Sequence, residues 1–247
     1  MIVFPAIDIL GGRAVRLAQG DYQRVTVYNE DPVDQARKFV ASGAEWIHVV
    51  DLDGARDGVP GNIHLIERIA KETGARLEVG GGVRTLETMR RLMEAGVERV
   101  VLGTMLVTDP VFVREAVRCC GDGVVAGVDA RDGMVAIEGW RSGTATSAQI
   151  LVGELRELGI RHLVYTDISR DGMQTGINAP AYVGVAISTG FPVVASGGVS
   201  TLDDIRALLA LGPGVIEGVI AGRAIYEGVF TLEEALAAAC PGGIAPC

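Results

Sequence analysis

Lysine is nearly missing from this chain: Lys38 and Lys71 are the only two, and arginine carries the rest of the positive charge. Both fall in helix-period stretches rather than at a strand end, so no Schiff-base lysine is expected. Excess positive charge is also missing. With 31 acidic against 22 basic residues the formal net charge is −9, which repels nucleic acid and anionic lipid and makes both poor partners. The four cysteines, Cys119, Cys120, Cys240 and Cys247, form neither a CxxC pair nor a zinc spacing. They read as reduced, incidental thiols of a cytoplasmic protein, the alternative being a disulfide that ties the tail to the body. None of the three histidines, His48, His64 and His162, belongs to a His/Glu cluster. No metal is therefore expected, and the chemistry is read as cofactor-free. No apolar run approaches the roughly 20 residues that span a bilayer. The opening MIVFPAIDILGG has no basic stretch before its apolar residues, so no signal peptide is expected. Linkers are missing too: there is no Ser-rich, Pro-rich or charged tract, and 247 residues at 49% hydrophobic content suit one large α/β domain.

What is present is alternation. Short β-branched runs read as strands at Ile2–Asp8, Trp46–Leu52, Arg76–Gly80, Arg99–Gly103, Val124–Asp129, His162–Asp167, Phe191–Ser196 and Val215–Ala221. Helix-period stretches lie between them, among them Pro32–Ser42, Thr85–Ala95, Pro110–Cys119, Ser147–Leu158 and Thr201–Leu211, with Asp31, Asp109 and Ser200 as capping residues. Eight strand–helix units with continuously apolar strands predict a parallel sheet closed into a barrel. The alternative, an open doubly wound sheet, usually has fewer strands and one dominant Gly-rich loop.

The chain is also written twice. Val79-Gly-Gly-Gly-Val-Arg-Thr-Leu resembles Ala195-Ser-Gly-Gly-Val-Ser-Thr-Leu, with Gly82 on Gly198, an offset of 116. Arg56-Asp57-Gly58 matches Arg170-Asp171-Gly172 at 114, Leu102-Gly103-Thr104 matches Ala221-Gly222-Arg223 at 119, and Asp8 matches Asp129 at 121. Four pairs in one order at nearly one offset predict a (β/α)8 TIM barrel built from two half-barrels, about 1–121 and 122–240, with 241–247 as a flexible tail.

In such barrels the chemistry sits on the loops that follow the strands. Gly81-Gly82 and Gly103-Thr104 would place bare backbone N–H groups at one point on the rim, and Gly198 and Gly222-Arg223 would do so opposite. Each set reads as a phosphate cradle, since glycine admits close approach and helix N-termini favour anions. The plainer reading, that these glycines only make tight turns, accounts for one Gly-Gly more easily than for two matched sets. Two cradles imply a small-molecule substrate with two phosphates. Asp8 and Asp129 then lie between the cradles, where carboxylates suit proton transfer.

Four further residues carry two readings each. Thr166 is an orienting hydroxyl or an ordinary strand threonine, and Asp171 is a site carboxylate or, with Gly172, a turn signal. Trp140, in the Glu138–Thr146 loop, stacks on a heterocycle as the site closes or anchors that loop. Arg84 pairs with a phosphate or is solvated. His48 could line the mouth, although a satisfied barrel histidine fits its place in a strand; His64 and His162 read as structural or exposed.

With these motifs on the page, Pro5-Ala-Ile-Asp-Ile-Leu-Gly-Gly, Val15-Arg-Leu-Ala-Gln-Gly-Asp-Tyr, Val79-Gly-Gly-Gly-Val-Arg and Tyr165-Thr-Asp-Ile-Ser-Arg-Asp-Gly-Met resemble the histidine-biosynthesis isomerases acting on phosphoribosylformimino-5-aminoimidazole carboxamide ribotide. The resemblance runs from Met1 to about Ala239. It implies an intramolecular aldose–ketose isomerase performing an Amadori rearrangement, with Asp8 as proton acceptor, Asp129 as donor and Thr166 in support. The cyclase of the following step is a similar barrel, but its first strand resembles Cys-Leu-Asp-Val with a lysine soon after. This chain has Ala6-Ile-Asp-Ile followed by Arg13 and Arg16. A dual-substrate variant that also takes phosphoribosylanthranilate ranks below the single-substrate enzyme, because its first loop generally differs from Gln19-Gly-Asp-Tyr-Gln-Arg. A non-catalytic barrel that binds a phosphorylated metabolite would need no carboxylates at two matched strand ends. A monomer is expected.

Overall fold

The computed structural model describes every residue except 19, 132, 138, 139, 141, 174 and 241–247, together with the side chains of 142, 144–146 and 149. The expected tail, Cys247 and residues 138, 139 and 141 of the Glu138–Thr146 loop lie outside the described residues.

Twelve strands form one sheet: β1 (Ile2–Leu10), β2 (Arg13–Ala18), β3 (Asp21–Asn29), β4 (Trp46–Asp51), β5 (Arg76–Gly80), β6 (Arg99–Leu102), β7 (Val124–Arg131), β8 (Met134–Ile137), β9 (Ser142–Ser147), β10 (His162–Asp167), β11 (Val193–Ser196) and β12 (Ile216–Ala221). Eight of them, in the order β1-β4-β5-β6-β7-β10-β11-β12, are parallel and close through the β12–β1 pairing into the barrel that the sequence predicts. The other four are two antiparallel hairpins. One extends β1 and the other extends β7, the first and fifth barrel strands, with Asp8 opposite Val15 and Asp129 opposite Ala136. Two stretches expected as loops are partly strand: β3 starts within the first loop, around Gln19–Arg24, and β9 covers part of Glu138–Thr146. β3 escaped notice because it is half-solvated, is bulged twice against β2, and shows no clean alternation of apolar residues.

Helix starts follow local chemistry. Asp31 accepts from Val33 N at the head of Pro32–Ala41, and Asp109 accepts from Phe112 N at the head of Pro110–Cys120. The third expected cap shifts by one residue. Thr201, not Ser200, caps Leu202–Ala210, because its hydroxyl and the Asp204 carboxylate form a reciprocal capping box. Among the described residues no helix is long and apolar enough to cross a membrane.

The two-residue period of the strands decides what points into the barrel. Phe4, Ala6, Trp46, Val125, Val164, Val194 and Ile220 form the inner core. Continuing the same faces upward gives Asp8 above Ala6, His48 and Val50 above Trp46, Gly127 and Asp129 above Val125, and Thr166 above Val164, all of which reach the mouth. A separate, larger core fills the space between strands and helices.

Charged residues also enter the barrel interior. Glu78, fully buried, receives His48 Nδ1 at 2.8 Å and lies 3.7 Å from Arg99, which binds Glu217 at 2.8 Å; His162 completes the chain at 3.0 Å from Glu217. The Arg76 and Arg99 guanidiniums lie over the Trp46 ring at 4.1 and 4.6 Å. Replacing Glu78 by Leu strips His48 and Arg99 of a buried partner. The expected cost is about 3 kcal/mol, or a fall in Tm of roughly 6–12 °C at ~2–4 °C per kcal/mol. A thermal melt shifted by less than about 2 °C would show that this charge chain does not support the fold.

Candidate active site

One cavity of about 280 Å³ opens at the C-terminal ends of the barrel strands. All fourteen residues singled out from the sequence line it: Asp8, Gly81, Gly82, Arg84, Gly103, Thr104, Asp129, Trp140, Thr166, Asp171, Gly172, Gly198, Gly222 and Arg223. Asp8 ends the inward face of β1 and Asp129 that of β7, on opposite sides of the mouth. The glycine loops after β5 and β6 lie between them on one side, and those after β11 and β12 on the other. Carboxylates and cradles therefore alternate around the rim.

The cradles are close-packed where they touch loop backbone. A Cβ on Gly81 would stand 2.2 Å from the Asp51 carbonyl oxygen, and one on Gly82 would stand 2.5 Å from that of Gly54. Across the mouth a Cβ on Gly197 would meet the Asp167 carbonyl at 2.6 Å, and one on Gly198 that of Gly176 at 2.3 Å. Gly103 differs, since only the Gly127 oxygen comes within 4 Å, at 3.8 Å. Its own surroundings do not demand glycine; it keeps that part of the rim bare.

Among the described residues, three carboxylates face the cavity. Burial raises the Asp8 pKa above the ordinary value, opposed by Arg16, whose guanidinium lies 3.1 Å away. Burial also raises that of Asp129, opposed by hydrogen bonds donated by the Trp140 indole and the Thr166 hydroxyl. Asp171 is raised by burial too, against Arg16 and Arg223. Arg223 in turn donates to Gly172 O and to Glu227 at 2.6 Å, tying the loop after β12 to the loop after β10. Tyr28 on β3 hydrogen-bonds the same Glu227 and stacks on Tyr226, so the first hairpin rests against the helix that follows β12.

Trp140 spans the mouth. Its N–H reaches Asp129, while its ring packs so closely on Gly20, in the turn joining β2 and β3, that a Cβ there would lie 2.6 Å away. Trp140 itself has φ +70°, an unusual conformation for a bulky side chain and a mark of constraint at this point. The two hairpin tips thus meet over the cavity. Arg84 is exposed at the rim and packs on Gly58, where a Cβ would stand 2.6 Å from its guanidinium.

Over residues 2–231 the sequence matches the family described as Histidine biosynthesis protein. The chain belongs to this family. A relative from Desulfitobacterium hafniense (strain Y51) is 50% identical over 238 residues, covering 96% of each chain. Another from Moorella thermoacetica is 48% identical, covering 98% of this chain and 100% of its own. A third, from Syntrophus aciditrophicus, is 46% identical, covering 97% and 99%. All three are named 1-(5-phosphoribosyl)-5-((5-phosphoribosylamino)methylideneamino) imidazole-4-carboxamide isomerase.

Among the cavity-lining residues that the sequence does not single out are Arg16, Tyr22, Ser196 and Gly197. Arg16 has no repeat partner. The 121-residue offset that joins Asp8 to Asp129 carries position 16 to Ile137, so a search by duplication passes over it. Gly197 corresponds to Gly81 at the 116 offset and was available to the same argument. His48 turns out to satisfy both of its readings, since it lines the cavity and is held by Glu78. His64 is exposed and His162 serves the charge chain below the mouth.

The raised carboxylate pKa values set a sign for stability. Folding strengthens proton binding at Asp8, Asp129 and Asp171, so their ionised forms weaken the fold at neutral pH. That penalty shrinks as pH falls from the raised folded values toward the ordinary 3.8. Asp129→Asn keeps an acceptor for Trp140 and Thr166 while removing the buried charge. It should therefore melt a few °C higher than the parent at pH 8, with the gap narrowing as pH falls through the raised Asp129 pKa toward the ordinary 3.8. An equal or lower Tm at pH 8 would show that the buried charge is not a liability.

Proposed function

We propose that this chain catalyses the Amadori rearrangement of the ribotide that its relatives' names specify, turning the aminoaldose into the aminoketose. That substrate, also called phosphoribosylformimino-5-aminoimidazole carboxamide ribotide, carries a phosphoribosyl group at each end. The observation that carries the reading is the alternation of two glycine cradles with two opposed carboxylates around one mouth. Each cradle holds a phosphate, one with Gly81, Gly82, Gly103, Thr104 and Arg84, the other with Gly198, Gly222 and Arg223. The reacting ribose carbons then lie between Asp8 and Asp129.

Asp8, kept ionised by Arg16, removes the proton from C2 of the ring-opened imine. The electron pair left at C2 forms the C1–C2 double bond of an enaminol as the C1–N π pair moves onto the nitrogen, which takes up a proton. Asp129 supplies the proton that C1 then gains. Loss of the hydroxyl proton at C2 completes the ketone. Thr166 orients Asp129, and Trp140, at the contact of the two hairpin tips, stacks on the imidazole and excludes water.

A second assignment of the donor is favoured by one observation. Asp171 also faces the cavity, and burial raises its pKa as it does that of Asp129, so it is placed to carry the donated proton as well. Asn replacement of each separates the two, since the donor is whichever loss abolishes turnover.

The enzyme is read as a monomer, since the described residues of one chain bring both cradles and both carboxylates to one mouth. It works in the cytoplasm, because a doubly phosphorylated substrate does not cross membranes unaided. The test is turnover of purified protein on the aminoaldose, with phosphoribosylanthranilate in parallel. Turnover of the first alone supports the assignment, turnover of both makes the chain a dual-substrate enzyme, and turnover of neither overturns the reading.

A further inference from the structure

Each phosphate cradle rests on a carboxylate–amide pair whose carboxylate is buried, and the two pairs match at one offset. In the first half, Asp51 ends β4 and is fully buried. Its Oδ1 accepts from Gly54 N at 2.9 Å and from Asn62 Nδ2 at 2.7 Å, and its Oδ2 accepts from Asn62 N at 2.9 Å. In the second half, Asp167 ends β10. Its Oδ1 accepts from Ser169 N at 3.1 Å and Ser169 Oγ at 2.5 Å, and its Oδ2 accepts from Asn178 Nδ2 at 2.8 Å. Asp51 and Asp167, Asn62 and Asn178, Gly81 and Gly197, and Gly82 and Gly198 are all related by 116 positions.

Asn62 is informative because of what its side chain does not do. It stands at the cap position of the helix Ile63–Thr73 yet makes no capping hydrogen bond. Instead its amide donates to Asp51 and, at 2.9 Å, to Asp53, which also accepts from Gly11 N at 2.7 Å. A buried amide with this pattern holds a loop rather than starting a helix.

We infer that Asp51–Asn62 and Asp167–Asn178 are two independent clasps, each positioning one phosphate cradle, so that recognition of the two ends of the substrate is separately set. The inference rests on the reading of the glycine loops as phosphate sites. The coupling is backbone on backbone. Gly81 lies on the Asp51 carbonyl and Gly82 on that of Gly54, the residue whose N–H Asp51 holds. Gly197 lies on the Asp167 carbonyl, and Gly198 O accepts from Gly176 N at 3.0 Å. In the first half no flexible side chain stands between clasp and cradle at these contacts, so a shift of the clasped turn passes directly to the N–H groups; in the second, the Arg170 side chain also lies there, 3.6 Å from Asp167 and donating to Gly176 O at 3.1 Å. The second cradle has an additional brace, the Tyr182 hydroxyl, which donates to Ser196 O at 3.0 Å; the matching residue in the first half is Ile66, which has no hydroxyl. The first cradle therefore depends more heavily on its clasp.

These are positioning residues, and their effect is local. The experiment is titration of isotope-labelled protein with inorganic phosphate, read at the backbone amides of Gly81 and Gly82 and, separately, of Gly197 and Gly198. Asn62→Ala should weaken phosphate binding about tenfold or more at the first pair and leave the second unchanged. Asn178→Ala should do the reverse, with a smaller loss. Asn62→Ser serves if the alanine variant does not fold. Equal weakening at both pairs, or none at either, overturns the clasp inference. No response at either pair in the parent protein overturns the phosphate reading beneath it.

Discussion

Asp8→Asn should lower kcat by about 10³-fold, within the 10²–10⁴ that a positioned acid–base group contributes, while KM changes only a few-fold. The substitution keeps size and shape at a position 3.1 Å from Arg16. Both cradles stay as they are, because neither is built from β1. What is lost is the basic oxygen at the site of proton removal. In the parent protein, activity should fall as pH drops through the Asp8 pKa, and burial places that limb above the usual carboxylate range. Steady-state kinetics over pH 4–8 checks both points. A variant that loses binding and turnover in equal measure would mean that Asp8 holds the substrate rather than acting on it.

The second large effect is expected from Gly81→Ala. Gly81 has φ +111°, and an added Cβ would sit 2.2 Å from the Asp51 carbonyl oxygen and 2.8 Å from its carbon. That carbonyl belongs to the end of a barrel strand whose side chain is clasped from three directions, so the cradle rather than the wall must move. Backbone strain of ~1–3 kcal/mol lowers Tm by roughly 2–12 °C, and a cradle moved by about 1 Å costs roughly 10²-fold in kcat/KM. Gly74→Ala is the control. Gly74 also has positive φ, at +68°, but nothing lies within 4 Å of its would-be Cβ, so its cost is about 1 kcal/mol of stability and no activity. If the two variants behave alike, close approach at Gly81 is not what positions the cradle.

The sequence exposed this molecule unevenly, and the differences have physical causes. The barrel strands were readable because strands buried on both faces are continuous apolar runs bounded by glycine and aspartate. Arg76–Gly80 and His162–Asp167 match the structure residue for residue. The hairpins were not readable, because β2, β3 and β8 lie largely outside the core and carry no comparable pattern. Duplication made most of the site legible: a residue needed in both halves appears twice, as Gly82 and Gly198 do. For the same reason duplication could not reveal Arg16, whose counterpart is Ile137, although it is the cation nearest the proposed base. The clasps repeat exactly enough in spacing to have been found, yet Asp51 and Asp167 read as ordinary strand-end residues until their partners Asn62 and Asn178 are seen in space.

In the proposed reaction, proton transfer runs through two different carboxylates within one bisphosphate site. The most direct measurement is the product formed from the aminoaldose in deuterium oxide, examined by proton NMR at C1. Because the group that takes the C2 proton is not the one that protonates C1, the account predicts aminoketose carrying solvent deuterium at C1. A C1 hydrogen drawn wholly from C2 of the substrate, or no aminoketose at all, would contradict it.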